Sequence, residues 1–240
     1  MVNFIEKDRY DFEDLRKLVA FLRSENGCPW DSVQTHASIR NNFIEETYEA
    51  VEGIDKNDPA ILREELGDVL LQVVFHCQIA KKNGTFTKDD VISDICRKLV
   101  FRHPHLFSGE LDANSPDSAI ANWEALKKRE KGFGSAAQVV SSVSSALPAL
   151  MRAQKLSTKA LKNGLIDSLC TADDVTAKAL SLQNAVAEGD ESAKSKALGE
   201  LLFTACSLAG DLGINAEQAL FVQNVDFCDN ICTNCSKKSN

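Results

Sequence analysis

The stretch Glu65-Leu66-Gly67-Asp68-Val69-Leu70-Leu71-Gln72-Val73-Val74-Phe75 decides the fold. Leu66, Val69, Leu70, Leu71, Val73, Val74 and Phe75 surround Asp68 on nearly every side of a helical projection, and no period-two alternation offers a strand instead. The flanks mark the ends of that helix. Asp58-Pro59 is an N-cap followed by proline at the first helical position, and Asn83-Gly84 supplies a left-handed turn at the far end. A helix over 58–82 follows, with a carboxylate in its apolar centre.

Helix-period runs with start signals recur on both sides. The spacing predicts further helices over 11–24, 38–55, 87–102, 115–131, 148–161, 171–187, 190–211 and 216–230, so the expected class is all-α, a helical bundle. Residues 132–147 are rich in Gly, Ser and Ala and read as a linker between a first domain, 1–131, and a second, 148–240. The two halves look related. Glu65-Leu66-Gly67-Asp68-Val69-Leu70-Leu71 recurs as Ala197-Leu198-Gly199-Glu200-Leu201-Leu202-Phe203, 132 positions later, which reads as a duplicated helical unit. Such units pack against each other or against a second chain, and a homodimer is expected.

The 240 residues are 44% apolar and 26% charged, enough to bury a core and ordinary for a globular protein. The net charge of -8 argues against a nucleic-acid groove, because polyanions are repelled unless a cation intervenes. No run reaches the roughly 18 apolar residues of a membrane span. Residues 1–10 carry Glu6, Lys7, Asp8 and Arg9 rather than an apolar leader, so a cytoplasmic location is expected. Of the eight cysteines, Cys28, Cys77, Cys96, Cys170 and Cys206 are scattered singly and read as buried free thiols. Cys228, Cys232 and Cys235 form a cluster one ligand short of a usual metal site.

On the helix over 38–55, Ile44, Thr47, Tyr48, Val51 and Ile54 share one arc, while Glu45, Glu46 and Glu49 span another of about 100°. Glu65 and Asp68 are helical neighbours in the next helix. A carboxylate placed like Asp68 protonates unless a cation or a donor offsets its desolvation. If the two helices pack antiparallel, Glu45, Glu46, Glu49, Glu65 and Asp68 converge. An all-oxygen cluster suits Mg2+, or Mn2+ in its place, and does not suit zinc. A di-iron bundle is excluded, since no histidine stands three after a Glu. His76 reads as a hydrogen-bonded core histidine, and His103 and His105, around Pro104, as a structural turn. Lys98 and Arg102, four apart on one helix, are either solvated surface or contacts for phosphate oxygens that a metal does not reach.

These residues resemble the MazG nucleotide pyrophosphohydrolases of the all-α NTP pyrophosphatase superfamily. The likeness rests on Glu45-Glu46-x-x-Glu49 followed by Glu65-x-x-Asp68, on Gly27-Cys28-Pro29-Trp30-Asp31, Gln34-Thr35-His36 and Gly67-Asp68, and on Arg102-His103-Pro104-His105-Leu106-Phe107. It covers most of residues 11–130 and continues more weakly through Arg152-Ala153-Gln154-Lys155. The second half departs from it. The positions 132 beyond the acidic five are Ala177, Lys178, Ser181, Ala197 and Glu200, so four of the five carboxylates are gone and that half is expected to serve folding or dimerisation.

The resemblance implies Mg2+-dependent hydrolysis of ribo- or deoxyribonucleoside triphosphates, unusual bases included, to the monophosphate and pyrophosphate. It implies Glu45, Glu46, Glu49, Glu65 and Asp68 as metal ligands, Glu46 or Glu49 as general base, and Lys98, Arg102 and Trp30 as substrate contacts. Trp30 stacks on a base or anchors the helix-free Cys-Pro-Trp-Asp turn to the bundle, and both readings stay open. The competing function is a catalytically weak nucleotide-binding or regulatory helical protein, and a third is an acidic adaptor whose carboxylates are merely solvated.

Overall fold

The computed structural model of the chain describes residues 6–109 and 115–238, with side chains as far as residue 231. Among the described residues there is no strand, and the helices are α1 (Phe12–Leu22), α2 (Pro29–Val33), α3 (Arg40–Asp55), α4 (Pro59–Lys82), α5 (Lys88–Arg102), α6 (Pro104–Phe107), α7 (Pro116–Glu130), α8 (Ala136–Ser141), α9 (Ala149–Lys162), α10 (Ala172–Glu188), α11 (Glu191–Asp211) and α12 (Ala216–Lys238). The protein is all-α. The chain divides into two compact units, Met1–Ala119 and Ile120–Asn240. The division falls within α7, and the stretch 132–147, read as a linker, contains α8 packed on α9.

The first unit is built around an antiparallel hairpin of α3 and α4. Asp58 caps α4 by accepting from the Ala60 and Ile61 amides, and Asn57 takes a positive φ of 51° in the connection. Gly53 lets the helices close: a Cβ there would lie 2.8 Å from the Leu62 nitrogen. Beyond Gly84, at φ 69°, Thr87 opens α5 with a capping box shared with Asp90. The core joins Val19 of α1, Ile39, and Val74, Phe75 and Ile79 of α4. Its apolar side chains occupy one flank of α4 and leave another open. Asp68 is half-buried as expected, but Leu66, Leu70 and Val73 beside it are 53%, 41% and 36% exposed within the single chain.

In the second unit α10 and α11 form another antiparallel hairpin, with α9 lying on α11. Thr171 opens α10 with a capping box on Asp174, and Gly189, at φ 82°, ends it. The Cys170 amide donates to Ser207 Oγ at 3.1 Å, and the Gln154 amide ties α9 to the turn before α12, donating to the Ile214 carbonyl at 2.5 Å and accepting from the Ala216 amide at 3.1 Å.

Three expectations need correction. The Cys-Pro-Trp-Asp segment is not helix-free: Pro29 starts the single turn α2. The last helix runs to Lys238 rather than Asn230. Of the scattered thiols Cys77 and Cys206 are buried and Cys28 and Cys170 half-buried, whereas Cys96 is exposed on α5. Cys228 is exposed, and the side chains of Cys232 and Cys235 lie outside the described residues. Among the described residues no single helix is long and apolar enough to cross a membrane.

Candidate metal centre and active site

The α3–α4 register brings the acidic residues together. Ala50 and Gly53 are buried against α4, which turns the Glu46 side of α3 toward it. Phe43 packs on the His76 ring at 5.6 Å, Gln72 lies near enough to Glu46 to act on its carboxyl, and Glu49 lies beside Glu65. Carboxylate oxygens of Glu46, Glu49 and Glu65 all lie within 4.8 Å of one another. Asp68, one turn along from Glu65, acts on both Glu46 and Glu65 through its charge. Glu45 is exposed and outside this group. It sits about 100° around the helix from Glu46, on the flank of α3 rather than its inner face.

The cluster carries the electrostatic cost that its composition implies. Burial pushes the Glu46 carboxyl above the ordinary carboxylate range, and the charges of Asp68 and Glu49 push it further, while Gln72 acts in the opposite direction. Glu65 is raised likewise, by desolvation first and then by Glu49, Glu64, Asp68 and Glu46. A carboxylate set of this kind accepts a hard cation or shares protons.

Gln72 is not among the expected site residues, although its position four after Asp68, as a polar side chain in an apolar run, was the available signal. It is 8% exposed and lies by Glu46. Arg23 was missed as well. Its guanidinium donates to the Asp31 carbonyl at 2.5 Å and the Gln34 carbonyl at 3.0 Å and lies 4.6 Å from the Phe75 ring centroid. Arg23 therefore anchors the segment around α2, and Trp30 is left 57% exposed.

On α5, Lys98 is half-buried and Arg102 is 5% exposed, a cation held inside the unit. The nearby Arg97 is engaged with Asp94 at 3.0 Å on the surface. His76 is half-buried and hydrogen-bonded, as expected. Its Nδ1 is 2.8 Å from that of His36, one ring donating and the other accepting, and the two rings stack at 5.1 Å. Burial lowers the His76 pKa, and the neighbouring His36 lowers it further. His103 ends α5 with its Nδ1 donating to the Leu99 carbonyl at 2.6 Å, which is the turn role expected of it.

Residues 34–107, which hold α3, α4 and α5, match the model of the MazG nucleotide pyrophosphohydrolase domain. The chain is 37% identical over 211 residues to the nucleoside triphosphate pyrophosphohydrolase/pyrophosphatase MazG of Thermotoga maritima, covering 87% of this chain and 79% of that protein. It is 47% identical over 147 residues to the uncharacterized protein YabN of Bacillus subtilis, covering 61% of this chain and 30% of that one. A solved structure, a MazG-related protein from Thermotoga maritima, is 28% identical and covers 48% of this chain and 98% of its own, with a TM-score of 0.41. With an identity of 37% spread over most of both chains, and with the acidic hairpin inside the matched segment, this chain belongs to the MazG nucleotide pyrophosphohydrolase family.

Proposed function

We propose that the first unit hydrolyses nucleoside triphosphates, ribo- or deoxyribo-, to the monophosphate and pyrophosphate, with Mg2+ as the working cation and Mn2+ able to replace it. The reading is carried by the convergence of Glu46, Glu49 and Glu65 within 4.8 Å in a chain of this family. The donors fit a hard divalent ion, being carboxylate oxygens whose mutual repulsion and burial a cation would relieve. Glu46, Glu49 and Glu65 would hold it, with Asp68 and Glu45 completing the acidic surround. When bound, such an ion neutralises a triphosphate and lowers the pKa of a water.

The chain's own groups supply the rest of the chemistry. Glu46 or Glu49 holds the attacking water and takes its proton as a bond forms to the α-phosphorus and the bond to the bridging oxygen of the β-phosphate breaks. Gln72 keeps the Glu46 carboxyl turned into the cluster. Lys98 faces phosphate oxygens, with Arg102 fixed at the end of the same helix, and the exposed Trp30 offers a ring to the base. The active form is a homodimer. Tyr48 and Ile54 of α3 and Leu66 and Leu70 of α4, all more than 40% exposed in the single chain, would close against a second copy.

The test is pyrophosphate release from a panel of NTPs and dNTPs, with and without Mg2+, for the natural chain and its Glu46→Gln and Asp68→Asn variants. Metal-dependent release that both variants lose is expected. Nucleotide binding without release by a folded chain would replace hydrolysis with the binding or regulatory reading. Sedimentation of the natural chain against Leu70→Glu tests the dimer.

A further inference from the structure

The second unit lacks the acidic cluster but gathers cations. Lys155, Lys159 and Lys162 lie along one stripe of α9, where like charges at such spacing cost helix stability. Lys159 and Lys162 share a cavity wall with Trp123, Lys127 and Lys128 of α7. Two adjoining cavities, about 110 and about 610 Å3 in volume, share Glu124, Lys159 and Lys162 in their walls. Among the described residues Glu124 is the one carboxylate lining either of them, and it is taken by Lys162 at 3.0 Å.

The contacts of Lys159 fix it without an anionic partner among the described residues. The Lys159 ammonium donates to the Val139 carbonyl at 3.3 Å and Ser142 Oγ at 3.4 Å, and Lys127 sits over the Trp123 ring at 4.8 Å. Among the described residues, the side chains of Lys128 and Lys155 have neither a hydrogen bond nor an ion pair. In a chain of net charge -8, the cleft is lined by Lys128, Lys155 and Lys159, none of them ion-paired among the described residues, beside Trp123.

We propose that the cleft binds an oligophosphate, free or carried on a nucleoside, at residues distinct from the acidic cluster of the first unit. Spaced ammonium groups suit a phosphate chain, whose charges are separated and whose oxygens accept from point-charge donors without demanding a planar fork. Several lysines around one carboxylate match several anionic groups better than a single carboxylate ligand. Trp123 supplies the surface against which a base or ribose can rest.

The test uses the full chain in its Trp30→Phe form, which leaves Trp123 as the single tryptophan. Pyrophosphate, tripolyphosphate and the α,β-methylene analogue of ATP are titrated in Mg2+-free buffer with chelator, reading Trp123 fluorescence and heat in parallel. Saturable binding is expected, weakened about tenfold or more by Lys128→Glu with Lys155→Glu. It should be unchanged by Lys196→Glu, whose side chain is 80% exposed outside the cleft. Lysine-to-glutamine changes at 128 and 155 should show the same direction of loss, with circular dichroism confirming the fold. Equal binding of the inorganic chains assigns recognition to phosphate alone, and tighter binding of the nucleotide analogue adds the nucleoside. No saturable signal into the millimolar range, or binding indifferent to both lysine changes, overturns the proposal.

Discussion

The Lys178 ammonium lies 2.7 Å from the Glu200 carboxylate, joining α10 to α11. These residues stand 132 positions after Glu46 and Asp68, the pair whose like charges oppose each other across α3 and α4. The first hairpin thus concentrates negative charge where the second carries a tethered cation of its own. A lysine covalently part of the fold satisfies the remaining carboxylate with no ion from solution, and the second hairpin has no electrostatic need of metal.

That ion pair should leave a pH signature. The hydrogen bond from Lys178 holds the Glu200 carboxyl below its ordinary 4.5, and the bond to Glu200 raises Lys178 above 10.5. A carboxyl whose pKa is depressed by folding adds stability above its unfolded value and loses it as pH falls through the folded value. A raised lysine adds stability below 10.5 and loses it as pH rises through its folded value. Lys178→Gln should therefore lower the urea midpoint at neutral pH, by an amount that shrinks as pH falls through the folded Glu200 value, with salt shrinking the neutral-pH difference as well.

Metal removal should act in the opposite sense on the first hairpin. At a concentration of Mn2+ a hundred times its dissociation constant, the natural chain should gain about 2.7 kcal/mol against unfolding. Glu46→Gln should abolish that gain and, in chelator, match or exceed the natural chain in melting temperature, because it removes a desolvated charge facing Asp68 and Glu49. Its pyrophosphate release should fall at least about a hundredfold. Calorimetry with and without metal checks the first two outcomes.

Gly53→Ala should destabilise the protein, although alanine is the better helix former by about 1 kcal/mol. The added Cβ would meet the Leu62 nitrogen at 2.8 Å and Cα at 2.9 Å, both backbone atoms that a rotamer change cannot move. Prying α3 from α4 costs about 1–3 kcal/mol and loosens the acidic cluster. Denaturant unfolding and Mn2+ affinity should worsen together.

Arg23→Met should release the α2 segment. It removes both donors to the Asp31 and Gln34 carbonyls and the contact with Phe75, leaving main-chain acceptors unmatched at about 1–3 kcal/mol for a buried group. Hydrogen exchange should accelerate across residues 28–34, with a smaller change in the α3–α4 hairpin.

Periodicity and caps carried much of the fold. Asp58-Pro59, Thr87 with Asp90, Asn83-Gly84 and Thr171 act where they do because capping is local, a matter of a side chain and an amide three residues away. The convergence of Glu46, Glu49 and Glu65 was legible for the same reason, since a short connection between two helices leaves an antiparallel hairpin as the simplest outcome. Short helices such as α2 and α8 escaped because so few residues carry no period.

What sequence alone determined is therefore the set of helices, their ends and the acidic faces of two of them, all governed by contacts within a few residues. Only tertiary structure decided that Gln72 lies by Glu46, that Arg23 holds the loop while Trp30 stays exposed, and that Lys178 meets Glu200. Each depends on the rotation of one helix about its axis against another, which is set by the summed packing of residues such as Gly53 and Phe43 rather than by any local signal.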